Sequence, residues 1–176
     1  MTIPTADPLA EVMDEMPYGL YIIGSTSHSD VNGMMADWVM QVSFSPRLIA
    51  VALEKDAHTL QNVRATSRFT VNMLSQDNPS VHLAAKFAQP YFGSKISGRD
   101  LEAGRLVHHK LDGIPYRKTP SGCPVLAEAM AWLECKAITF LPAGDHVIVI
   151  GAVTDGGVLR DGEPLTSGYA GWAYSG

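Results

Sequence analysis

The apolar and polar positions change period several times along the chain. Asp7-Pro8 has the form of a helix cap followed by proline in the first turn, which predicts a short helix over 7–14. Tyr18–Ser25 (YGLYIIGS) is rich in aromatic and β-branched residues and reads as a strand. Ser27–Gly33 (SHSDVNG) reads as a turn, with Asn32-Gly33 as a hairpin signal. Met34–Phe44 then alternates. Met34, Ala36, Trp38, Met40, Val42 and Phe44 share one face, and Asp37, Gln41 and Ser43 share the other. That period of two predicts a single strand with one wet or ligand-facing side. Ser45-Pro46 ends it, and Leu48–Leu53 (LIAVAL) is continuously apolar, as in a strand buried on both faces.

Asp56 is placed to cap a helix over Ala57–Thr66, and Arg68–Leu74 reads as another strand. Asn78-Pro79 opens a helix through Ala88, on which Leu83 and Phe87 lie four residues apart on one face. Residues 89–122 show no period and read as a long irregular loop. Ala129–Leu141 predicts a long strand, with Glu134 and Lys136 facing one way and Leu133, Cys135 and Ala137 the other. Pro142–Asp145 reads as a turn, His146–Val153 as the returning strand, and Asp155-Gly156-Gly157 as a further turn. The tail over 165–176 carries Tyr169, Trp172 and Tyr174. About six strands and two or three helices, without strict alternation, favour a mainly β fold over a doubly wound parallel sheet. The expectation is a single domain over 1–176, an antiparallel barrel with a few peripheral α-helices.

Composition narrows the class. The chain has 176 residues, 46% hydrophobic and 18% charged, which excludes intrinsic disorder. No run approaches the ~18 apolar residues of a membrane helix. The start of the chain has no basic and apolar leader pattern, so a cytoplasmic setting is expected. A formal net charge of −5 argues against nucleic-acid or acidic-membrane partners. The charge is uneven: residues 1–46 hold six acids and no Lys or Arg, whereas residues 47–118 hold eleven bases and six acids. An anionic ligand would be drawn to that middle third, although solvated, acid-paired surface charge explains it as well. Cys123 and Cys135 lack any zinc-ligand spacing and read as free, buried thiols.

The chemistry-bearing motifs are few. No GxGxxG, GxxxxGK or GxSxG occurs, and no metal site is expected. Without a nucleophile motif, an enzyme of this sequence would rely on a bound cofactor for its difficult step. Two segments stand out. Over Asn32–Lys55 a turn, an amphipathic strand and a buried strand lead to a helix start, where free N–H groups with Lys55 and Thr59 could hold a phosphate. An ordinary hairpin with an Asp56-capped helix fits equally well. The second is Gly144-Asp145-His146, a histidine at a hairpin mouth.

Together these segments resemble the flavin reductase-like family, the FMN-binding split barrels. The resemblance rests on NGMMADWVMQVSFSPRLIAVAL (32–53), KDAHTLQNV (55–63), RFTVNMLS (68–75), HLAAKFA (82–88), GCPVL (122–126) and LECKAITFLPAGDHVIVIGAV (133–153). It implies an antiparallel Greek-key split β-barrel, a homodimer with flavin near the subunit interface, and hydride transfer from NADH or NADPH to FMN or FAD. Carried over by position, it implies that Asn32, the 34–38 backbone (with Met35, Ala36, Asp37 and Trp38) and Gln41, Val42 and Ser43 line the isoalloxazine. It further implies that Lys55, His58 and Thr59 approach the ribityl phosphate, that Phe87 flanks the ring, and that catalytic His146 meets the nicotinamide. Met35 and Asp37 stand where the family often has Thr and Ser or Asn, and Ser45-Pro46-Arg47 replaces the usual Asp-Pro-Pro. The resulting expectation is an NAD(P)H-dependent flavin reductase, the component that supplies reduced flavin to a separate monooxygenase. A tightly FMN-loaded electron-transfer protein is the alternative, and a flavin-free barrel docking through its aromatic tail is the third.

Overall fold

The computed structural model describes residues 8–27, 30–89 and 109–172. In chain order the elements are α1 (Pro8–Asp14), β1 (Tyr21–Thr26), β2 (Val31–Ala36), β3 (Val39–Phe44), β4 (Arg47–Glu54), α2 (His58–Thr66), β5 (Arg68–Met73), α3 (Asn78–Ala88), β6 (Tyr116–Lys118), β7 (Pro124–Leu126), β8 (Ala131–Ala143), β9 (His146–Val158) and α4 (Ser167–Ala170). Seven strands form one sheet in the order β2-β1-β5-β8-β9-β4-β3, and β6 pairs with β7 in a small second sheet. Every strand pairing is antiparallel. The mainly β antiparallel architecture is therefore as expected.

The sheet's two edge strands, β2 and β3, are consecutive in sequence and joined by Asp37 and Trp38 alone. A connection that short forces the sheet to curl until its edges approach. The Trp38 carbonyl accepts from the Ala52 N–H at 3.0 Å, which carries the β3–β4 ladder one residue into this connection. Alternation along β1 then separates two cores. Ile23 joins Val51, Leu53, Phe69, Val71, Val147 and Val149 inside the curl, closed by Leu60 and Val63 of α2. Ile22 points the other way, to Leu83, Ala84 and Phe87 of α3 with Leu74, Leu126 and Leu165.

Several local expectations are corrected. Asn32-Gly33 is not the hairpin turn: both residues lie within β2, paired with Ser25 and Gly24, and the chain reverses between Ser27 and Asp30. Met34–Phe44 is not one strand, because the bend at Asp37–Trp38 sends β3 to the opposite edge. Asp56 does not cap α2; Ala57 occupies that position and contributes no side-chain bond. Asp77, one residue before the expected start, caps α3 by accepting from the Ser80 N–H at 2.7 Å. Asp155-Gly156-Gly157 continues β9 rather than turning.

Glu134 faces away from Cys135, as expected, but is buried all the same: it lies opposite Thr70 in the unbroken β5–β8 register and accepts a hydrogen bond from the Ser121 hydroxyl. The irregular stretch expected over 89–122 contains β6 at its end, and 90–108 fall outside the described residues. Tyr174 of the aromatic tail also falls outside, while Trp172 packs against the second core. Both cysteines are free and buried, as expected, and burial pushes the Cys123 thiol up to about 11 and the Cys135 thiol up to about 12.

Candidate functional site

A cleft of about 190 Å³ runs along β2, between the tip of α2 and the end of α3. Its long wall is the strand itself, from Asn32 to Ala36, continuing through Asp37 and Trp38. At ~3.3 Å per residue, Gly33 and Trp38 lie about 16 Å apart if fully extended, an upper limit because the strand ends at Ala36. Phe87 closes one end. Its ring lies so close over Gly33 that a Cβ there would meet ring carbons at 2.8 and 3.0 Å. Asn32 pins the same stretch, its side-chain oxygen accepting from the Gly33 N–H at 2.8 Å.

The other end is aromatic and charged. Trp38 packs on His146 with ring centroids 4.7 Å apart, and Tyr18 lies 6.4 Å from Trp38. The His146 Nδ1 lies 2.7 Å from an Asp145 carboxylate oxygen. A carboxylate only accepts, so Nδ1 carries the proton and Nε2 is left for a ligand. This bond with His146 holds the Asp145 carboxyl below its usual range. Asp37 behaves oppositely: burial raises its pKa, against its own and Trp38's backbone N–H groups and the charge of His146. The departure at this position is thus accommodated by folding the carboxylate back onto the main chain.

The flank of the cleft is the start of α2. His58 lies 3.1 Å from the Asp30 carboxylate, and Thr59 is buried beside it. With Ala57 as N-cap, the N-cap side chain bonds none of the first-turn N–H groups, and Ala57, His58 and Thr59 all line the cleft. An uncapped helix start favours negative charge.

Nine of the thirteen residues selected from sequence therefore surround one cleft: Asn32, Met35, Ala36, Asp37, Trp38, His58, Thr59, Phe87 and His146. Four do not. The Gln41 amide donates to the Ser43 carbonyl at 3.2 Å and lines a separate groove of about 400 Å³ with Met40 and Arg47. Val42 and Ser43 follow Gln41 onto the edge strand, away from the cleft. Lys55 is exposed and meets the neighbouring hairpin by its backbone N–H, 3.0 Å from the Asp145 carbonyl, and by its charge, which acts on the Asp145 carboxylate. In exchange the cleft gains Glu54, Asp56 and Lys110, none of them among the site residues expected from sequence. Lys110 is buried and donates from Nζ to the Phe87 carbonyl at 3.0 Å. It lies in a stretch without period, so no local signal marks it.

The donor set suits a flat, mostly apolar ring with polar edges and an anionic tail. Met34, Ala36, Trp38 and Phe87 supply apolar surface, β2 supplies backbone, and the α2 start supplies N–H groups. No group of three or more metal-ligating side chains occurs among the described residues.

The model of the flavin reductase like domain matches residues 13–173. The chain belongs to the flavin reductase-like family. A high molecular weight rubredoxin of Moorella thermoacetica is 34% identical over 90% of this chain and 64% of its own length. The NAD(P)H ferric-chelate reductase of Archaeoglobus fulgidus is 30% identical over 89% of this chain and 85% of its own. Among solved structures, the NADH:FAD oxidoreductase of Streptomyces globisporus superposes with a TM-score of 0.74 at 26% identity, covering 94% of this chain and 93% of that one. The flavin reductase-like chain spans 64% of the first of these relatives and about a quarter of the diflavin flavoproteins it also matches.

Proposed function

We propose that the protein is an NAD(P)H-dependent flavin reductase that holds FMN or FAD against β2 and passes the reduced flavin's electrons to a second protein such as a monooxygenase. The observation that carries this reading is the convergence of Asn32, Met35–Trp38, Phe87, the α2 start and His146 on one cleft. The Archaeoglobus relative, named for NAD(P)H and ferric chelate, supports the same donor with a different acceptor.

A bound flavin supplies the two-electron chemistry that no side chain here can supply. The chain's own work is orientation, since hydride transfer needs rings held in near-contact rather than a nucleophile. Phe87 and the β2 main chain hold the ring system, and Asn32 fixes the strand that supports it. Thr59 and the α2 start face the anionic tail. His146, with its proton fixed at Nδ1 by Asp145 and its ring braced on Trp38, offers Nε2 to the incoming dinucleotide. The Trp38 and Phe87 rings keep water from the two ends of the cleft.

The protein acts as a homodimer in this reading. The edge strand β3 presents unpaired backbone and exposed Met40, Val42 and Phe44, an apolar edge that monomers rarely leave open. Free buried thiols fit a reducing cytoplasm.

A visible spectrum before and after anaerobic NADH or NADPH tests the reading. Flavin absorbance that bleaches on addition supports it, and a protein that binds no flavin refutes it. Flavin that survives dialysis yet stays oxidised under both donors would select the electron-carrier alternative instead.

A further inference from the structure

We propose that α1 of one copy of this chain packs into the open groove at the end of a second copy's curled sheet, and that the second α1 does the same in return. This rests on the homodimer in the reading above and names the elements that hold it together.

The curled sheet has two ends. At one, Leu60 and Val63 of α2 close the first core. The other is the groove of about 400 Å³, where β1 and β4 begin and β5 ends. Tyr21, Val39, Leu48, Ile49, Val71 and Leu133 give it a largely apolar wall. Its rim on the β3–β4 hairpin is open to solvent: Met40 is 64% exposed, and exposed Arg47 is the sole charged residue among the described lining residues. A hollow of this lining suits an apolar insert with an acidic flank.

The chain carries such an insert. Val12, Met13 and Met16 fall on one side of α1 and of the turn that extends it, where the Met16 N–H donates to the Met13 carbonyl at 3.2 Å. They are 67%, 45% and 48% exposed, and no residue of α1 is buried. Glu11, Asp14 and Glu15 take the opposite side. A helix of seven residues is marginal in water by itself, so its order calls for a surface to pack on.

The chain's own groove is not that surface. The residues after α1 are pinned elsewhere: the Tyr18 N–H donates to Ser167 Oγ at 3.1 Å, the Ser167 N–H to the Tyr18 carbonyl at 2.8 Å, and the Leu20 N–H to the Leu165 carbonyl at 2.9 Å. Pro17 stiffens the exit from the helix. Each copy thus presents an uncovered apolar helix side and an open apolar groove, and a two-fold pairing lets each give one and receive the other. The charges agree. Residues 1–46 hold six acids and no Lys or Arg, whereas the described lining of the groove holds Arg47 and no carboxylate. That attraction sets orientation more than affinity. Met40 at the groove rim lies on the same strand as exposed Val42 and Phe44, so the helix contact and the β3 edge form one continuous interface.

The test places p-benzoylphenylalanine at position 13, exchanges subunits with isotope-labelled wild type, irradiates, and reads the joined peptides by mass spectrometry. Crosslinks should join a substituted chain to a labelled one, at peptides holding Met40–Ile49 or Val71–Met73. Crosslinks confined to one chain, crosslinks to other peptides of the partner, or none at all would overturn the proposal. A second measurement uses the double variant Val12→Glu, Met16→Glu, whose exposed positions spare the fold, checked by circular dichroism. Its dimer dissociation constant by sedimentation velocity should rise at least about tenfold. An unchanged constant overturns the proposal while leaving a dimer held by the β3 edge alone, and a monomeric wild type overturns the homodimer with it; the flavin reading stands or falls separately, on the visible spectrum.

Discussion

His146 and Trp38 meet ring to ring, their centroids 4.7 Å apart and their planes tilted by 46°. The contact joins β9 to the two-residue bridge between the sheet edges, so the histidine's orientation depends on the curl of the sheet. Only 12% of its side chain is exposed, whereas its partner Asp145 is 93% exposed. Packing places the ring, and the carboxylate sets where its proton sits.

His146→Ala should leave flavin affinity within about threefold of wild type and slow hydride transfer by roughly one to two orders of magnitude, the scale of lost orientation. Asp145→Asn should act in the same direction but weakly, by about two- to fivefold, because an exposed pair contributes little. Stopped-flow reduction by NADH, set beside equilibrium flavin titration, separates the two quantities.

Gly33→Ala places a methyl carbon against the Phe87 ring. Overpacking of this kind costs about 1–3 kcal/mol. The variant should unfold at lower urea concentration and bind flavin more weakly. Double substitution with Phe87→Leu should recover part of the stability, which chemical denaturation of the four proteins would measure.

Asp37→Asn should stabilise the protein at neutral pH. Burial raises the carboxyl's pKa in the folded state, so the native protein holds this proton more tightly than the unfolded chain does. Ionisation of Asp37 therefore opposes folding at pH values above its folded pKa, and the opposition disappears below the unfolded value of 3.8. The gain in stability from Asn should be largest near pH 7 and vanish as the pH falls through that range. Urea midpoints at several pH values would show it. The same variant should bind FMN more tightly, since one carboxylate in the cleft loses its charge.

Phe44→Glu should weaken the dimer and spare the fold. Phe44 is 87% exposed in the single chain, so its replacement should change monomer stability by no more than about 0.5 kcal/mol. A charge placed in an apolar edge contact should raise the dimer dissociation constant at least about tenfold. Sedimentation velocity over a concentration series would detect the shift, and a wild-type protein that remains monomeric would remove the β3 edge as the interface.

Much of this arrangement could be read from local signals. The helix α3 announces itself through Asn78-Pro79 and the Leu83–Phe87 spacing, because helix starts and helical periodicity are properties of adjacent residues. The bend at Asp37–Trp38 does not. Alternation runs through it unbroken and no Gly or Pro marks it, since the break is imposed by closure of the sheet and not by local preference. Asn32-Gly33 misleads for a related reason: the glycine is there to admit Phe87, a contact 54 positions away, and the asparagine serves its neighbour's N–H. Lys110 is the extreme case. Its place is set by the end of α3, 23 residues earlier, and only the folded chain shows that it, and not Lys55, faces the cleft.

The joining of the sheet's first and last strands through Asp37 and Trp38 means that the seam of the fold and the rim of the cleft are the same two residues. Breathing of one is breathing of the other. An occupant of the cleft therefore acts as a clasp, and the amide protons of Val39 and Ala52, whose bonds hold Asp37 and Trp38 in place, should exchange with deuterated solvent far more slowly when it is fastened.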